Sequence, residues 1–106
     1  MSNISNETEE RLVEMCEDIC NEIREGKISG FDYLLGDKVL DINYITTQDK
    51  MYKGARLLVA FGGPNIWIDT TSQEVEGYWE SDRVTRWYSE DYIGLDDACA
   101  EFYDMS

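Results

Sequence analysis

The 106-residue chain contains no histidine. That removes the usual Ser-His and Cys-His nucleophile pairs and leaves few donors for a transition-metal site. Positive charge is also scarce: 9 Lys and Arg against 23 Asp and Glu give a net charge of −14. A chain so acidic repels nucleic acid and anionic membranes and favours basic surfaces. No run approaches the ~18 apolar residues that a membrane span needs. Residues 1–11 are polar and acidic, so no secretory leader is read there. The 3 cysteines, Cys16, Cys20 and Cys99, are too few and too odd in number for a disulfide framework. Reduced thiols and a cytoplasmic location are expected. Asn3-Ile4-Ser5 and Asn6-Glu7-Thr8 match the glycosylation pattern, which carries no weight in that compartment.

What is present suffices for one core. Apolar residues make up 42% of the chain and aromatics 12%, too much for an intrinsically disordered segment. Residues 1–106 read as a single domain, with 1–5 a frayed start.

Asn6 resembles a helix N-cap, with Glu9 three residues on as in a capping box. At 100° per residue, Leu12, Val13, Met15, Cys16, Ile19, Cys20 and Ile23 share one face of the helix that follows. Glu7, Glu10, Glu14, Glu17, Asp18, Glu22 and Glu25 lie opposite, and the helix is expected to end near Gly26. Residues 27–38 read as a connection with one short element at most. Strands are expected over 39–46, with Leu40, Ile42 and Tyr44 on one face, and over 54–61, a central strand buried on both faces. Residues 65–80 read as a hairpin, and 81–88 as a last strand or a loop. Ser89, backed by Glu90 and Asp91, reads as the N-cap of a second helix that places Tyr92, Leu95, Ala98, Cys99, Phe102 and Tyr103 on one face. The order α–β–β–β–β–α predicts an α+β fold: terminal amphipathic helices packed on one face of a roughly four-stranded antiparallel sheet.

Few motifs point to chemistry. The three cysteines lie on apolar helix faces and read as core thiols rather than zinc ligands. Gly62-Gly63-Pro64-Asn65 leads into a strand rather than a helix, with no lysine placed for phosphate, and reads as a turn. With 23 acids some carboxylate pair is inevitable, so a carboxylate-based hydrolase or metal site has no specific support. No catalytic residue, metal site or cofactor is expected.

Two surfaces are candidates for binding. One is acidic. Residues 1–27 have net charge −5, residues 28–73 net −1 and residues 74–106 net −8, so the charge belongs to the helices and the segment before the second. The partner-binding acids are expected to be Glu10, Glu14, Glu17, Asp18, Glu22, Asp96, Asp97 and Glu101. On the first helix they recur about once per 5.4 Å turn, a scale similar to that of phosphates along a nucleic-acid strand. Such a stripe can occupy a basic groove built for a phosphate backbone. A solvated helix face is the plainer reading, but the charge far exceeds the ~2–8 that solubility asks of a small domain. The other surface is aromatic. Trp67, Tyr78, Trp79, Trp87 and Tyr88, with Arg83 and Arg86 beside them, form either an exposed patch typical of interface hot spots or a second core layer closed by residues 81–88.

Phe61-Gly62-Gly63-Pro64-Asn65-Ile66-Trp67-Ile68-Asp69-Thr70, followed by Val75-Glu76-Gly77-Tyr78-Trp79, resembles a family of small acidic proteins found in phages, prophages and conjugative elements of gut Firmicutes. The resemblance covers about residues 55–106 and brings no catalytic residues. It implies a mobile-element protein acting in the bacterial cytoplasm. By analogy with other small acidic proteins of such elements it implies an anti-CRISPR or anti-restriction inhibitor, a nucleic-acid mimic that blocks a basic groove of a host defence nuclease. The competing expectations are a small interaction module that binds through the aromatic hairpin and, third, a carboxylate hydrolase.

Overall fold

A computed structural model describes residues 4–106. Along the chain lie α1 (Ile4–Glu25), α2 (Gly30–Leu35), β1 (Asp41–Thr46), β2 (Tyr52–Ala60), β3 (Asn65–Asp69), β4 (Glu74–Trp79), β5 (Asp82–Trp87) and α3 (Leu95–Met105). The strands form one five-stranded antiparallel meander in the order β1-β2-β3-β4-β5. The fold is α+β as expected, with residues 82–87 supplying the fifth strand and α2 arising inside the expected connection.

Period-two alternation decides what the sheet buries. Leu57, Ile68 and Val75 form one cross-strand row, and Ile66, Gly77 and Val84 the next. All six are buried, and the helices cover this face. α1 lies over β4 and β5; α3 pairs with α2 and reaches β2. Leu12, Cys16, Cys20 and Ile23, spaced for one helical face, enter the same core as Tyr33, Leu95, Ala98 and Cys99. Each large aliphatic side chain so buried contributes about 1.5–3 kcal/mol.

Two glycines set how closely the layers approach. A Cβ on Gly77 would lie 2.7 Å from Leu12 Cδ1 and 2.8 Å from Cys16 Sγ, so α1 rests directly on the backbone of β4. A Cβ on Gly30 would lie 2.5 Å from the Gly94 carbonyl oxygen, and the Gly30 N–H donates to the Ile93 carbonyl at 2.6 Å. The start of α2 is thereby fixed to the chain that enters α3.

Several expectations change. α1 already includes Ile4 to Asn6, so Asn6 lies within the helix and is not its cap, and of the expected frayed start residues 1–3 lie outside the described residues. β3 is the middle strand and β2 lies inside the sheet between β1 and β3; β2 is fully buried at Ala55 and Leu57 on the helix side and at Gly54 opposite, while Leu58 on that opposite face is only half-buried. Leu40 precedes β1 and is exposed. Ser89 is not a helix cap: it has φ 65°, and α3 begins six residues later. The N-cap position is Gly94, in the left-handed region, and the Asp91 carboxylate supplies what a cap side chain would, accepting from the Leu95 N–H at 2.7 Å and the Asp96 N–H at 3.0 Å. Tyr92 falls before the helix and is exposed.

Candidate functional site

The acidic face of α1 survives folding as a solvent face. Because Leu12, Cys16 and Cys20 point into the core, Glu7, Glu10, Glu14, Glu17 and Asp18 must point away, and all five are exposed. A helix of 22 residues is about 33 Å long. Glu17 and Glu22 are partly neutralised. Glu17 accepts from Arg86 Nε at 3.3 Å, and Glu22 holds the Lys38 ammonium. Glu10, Glu14 and Asp18 form no ion pair among the described residues. On α3, Asp97 and Glu101 are exposed. Asp96 has a structural bond instead: its carboxylate accepts from the Tyr52 hydroxyl at 2.7 Å. Of the eight expected acids, Glu10, Glu14, Asp18, Asp97 and Glu101 therefore face solvent without a cation, but over opposite ends of the sheet, with α1 over β4–β5 and α3 over β2.

The aromatic set does not converge. Register places Trp67 opposite Glu76 and Tyr78 opposite Arg83, all on the face of the sheet without helices. Trp87, beside Glu74, shares that face and is 56% exposed. Trp79 lies on the helix side, packed against the core with the Arg11 guanidinium 5.9 Å from its ring centre. The two arginines also separate. Arg83 lies 5.7 Å from the Tyr78 ring, while Arg86 reaches around to Glu17 on α1. Trp67 is half-buried, because Arg56 stacks on it at 4.8 Å and donates to Glu76 at 2.6 Å. Sequence reasoning missed Arg56. Its place opposite Asp69 follows only once the β2–β3 register is known.

Two grooves flank α1. One, of about 300 Å³, is bounded by Glu17, Cys20, Asn21, Arg24, Arg86 and Trp87. Its guanidinium groups are committed: Arg24 donates to the Trp87 carbonyl and to Asn21, and Arg86 to Glu17. This groove is a brace between α1 and β5. The other, of about 320 Å³, lies between α1, the α2–β1 connection and the end of β2. Its apolar lining (Met15, Ile19, Val59, Ala60, Ile66) is buried or half-buried, whereas Asp18, Asp37 and Lys38 at its mouth are exposed. No sequence signal marks it, since its walls come from three separate segments, residues 15–22, 33–38 and 59–66.

The thiols are core groups. Burial pushes Cys16 up to about 11, with the neighbouring Cys20 adding to it, and Cys99 up to about 12. Burial raises Cys20 as well. Thiols held protonated in this way are poor nucleophiles. Among the described residues, no group of three His, Cys, Asp or Glu side chains is arranged to hold a metal ion, and no helix is long and apolar enough to cross a membrane. The Gly62-Gly63-Pro64-Asn65 segment is the β2–β3 turn, closed by the Gly62 N–H donating to Asn65 Oδ1 at 3.2 Å. Phe61 at its start is 74% exposed.

No family profile, curated protein or solved structure matches the chain.

Proposed function

We propose that the protein is a non-enzymatic inhibitor that binds the basic, nucleic-acid-binding surface of a host defence nuclease or effector in place of nucleic acid. The supporting observation is the unneutralised carboxylate line Glu10, Glu14 and Asp18, one side chain per helical turn, on a helix whose other face is locked into the core. A rigid element holding carboxylates at about 6 Å intervals presents charge without a backbone ordering cost at binding. Displacing counterions from a basic groove makes such binding steeply salt-dependent.

The test is capture with tagged protein from lysate of a CRISPR-bearing Firmicute, followed by mass spectrometry, salt titration and competition with duplex DNA. A nuclease subunit that DNA displaces is expected. The variant Glu10→Gln/Glu14→Gln/Asp97→Asn/Glu101→Gln, with unchanged melting temperature, should lose at least about tenfold in affinity, the equivalent of ~1.4 kcal/mol. Unchanged affinity and no competition by DNA would remove mimicry. A second reading rests on Trp87, 56% exposed on the uncovered sheet face. Binding that survives high salt and is lost on Trp87→Ala would favour it.

A further inference from the structure

The groove beside α1 combines two properties that point to one class of occupant. Its interior is apolar: Met15, Ile19, Val59 and Ala60 are half-buried around a fully buried Ile66. Its mouth is acidic. Asp18, Glu22 and Asp37 meet there, and the chain's own Lys38 shows what the mouth accepts. Its ammonium bonds Glu22 and lies 5.8 Å from the centre of the Tyr33 ring. Asp18 and Asp37 form no side-chain hydrogen bond or ion pair among the described residues. The two carboxylates are therefore open to a second cation, next to one already held.

We propose that this groove is an anchor site for a basic peptide segment of the partner: one large apolar side chain enters, and flanking Arg or Lys residues engage Asp18 and Asp37. The inference rests on the proposed function, since a nucleic-acid-binding surface is where exposed basic segments occur. It adds what a carboxylate stripe lacks. Charge complementarity speeds and steers encounter but adds little raw affinity, whereas a filled apolar pocket adds affinity and residence time. The volume lies at the small end of ligand pockets and suits one side chain rather than a whole ligand.

The experiment uses the full chain with labelled Ile, Val and Met methyl groups, titrated with a short amidated peptide having a central phenylalanine between arginines. Saturable shifts confined to Met15, Ile19, Val59 and Ile66 are expected. Affinity should fall about tenfold or more when serine replaces the phenylalanine. Ala60→Trp, which fills the groove, should abolish the shifts. Asp18→Asn/Asp37→Asn, at exposed positions that do not threaten the fold, should weaken binding severalfold with the same methyls still responding. Equal affinity for the serine peptide, or shifts spread along α1, would overturn the proposal, because they mean charge attraction without an anchor. Failure here is distinct from failure of mimicry. A captured nuclease that DNA displaces but Ala60→Trp still binds removes only the anchor, and groove binding without any DNA-competed partner removes only the mimicry.

Discussion

Gly77→Ala tests whether α1 is seated as described. The added methyl would lie 2.7 Å from Leu12 Cδ1, 2.8 Å from Cys16 Sγ and 3.1 Å from Leu12 Cγ. Carbon atoms normally meet at about 3.5–4.0 Å, so α1 must lift by roughly 1 Å or both side chains must leave their rotamers. Overpacking of this kind costs about 1–3 kcal/mol. Alanine recovers about 0.5–1 kcal/mol of the entropic penalty of glycine in a strand, leaving a net loss of up to about 2.5 kcal/mol, centred near 1 kcal/mol. For a domain near this size, a loss of about 1 kcal/mol lowers melting by roughly 4–8 °C. The double-mutant cycle with Leu12→Ala sharpens the point. Leu12 is fully buried, so Leu12→Ala alone should cost about 2–5 kcal/mol. In the Gly77→Ala background it should cost less, because the new methyl fills part of the cavity, with a coupling of about 0.5–3 kcal/mol. Urea denaturation of the four proteins measures this. Additivity within about 0.5 kcal/mol would refute the seat of α1 on β4 and with it the fixed direction of Glu10, Glu14 and Asp18.

Asp91→Ala should destabilise by about 1 kcal/mol through loss of the α3 cap, while Ser89→Ala should do almost nothing and Ser89→Gly should stabilise by relieving the positive φ; thermal melts separate them. The Tyr88 hydroxyl is buried with no partner among the described residues, so Tyr88→Phe should be neutral or stabilising by up to about 1 kcal/mol, measured by urea midpoint. Unfolded thiols ionise near pH 9 while folded Cys16 and Cys99 stay protonated to about 11 and 12, so the native state binds more protons above pH 9. Stability should therefore be level up to pH 8 and fall as pH rises through that window, and native protein at pH 8 should react slowly with a thiol reagent until urea is added.

Much of the fold was legible because burial imposes simple periods. Leu12, Cys16, Cys20 and Ile23 announce α1, and Ile66 and Ile68 announce the inward side of β3. The same period-two rule separates Tyr78 from Trp79, and Arg83 from Arg86. Those pairs were grouped by composition although adjacent or odd-spaced strand residues face opposite ways. Other features were not legible. Ser89 does not cap α3 because the chain makes an extra turn through Tyr92 to Gly94, closed by the Gly94 N–H donating to the Asp91 carbonyl, which puts Gly94 at the N-cap and the Asp91 carboxylate on the first helical N–H groups. Asp96 lost its role as a free acid to Tyr52, forty-four residues away, a partner that only the packing of α3 on β2 supplies. The groove beside α1 likewise belongs to tertiary structure alone.

The meander pairs each strand with its neighbour in sequence, whereas α1 finds its seat only on β4 and β5. On the ribosome, at about 5–20 residues per second, the apolar face of α1 therefore waits several seconds for the strands that cover it. During that interval its outward carboxylates repel those of neighbouring nascent chains, so the acidic face shields the helix while its sheet is still being made.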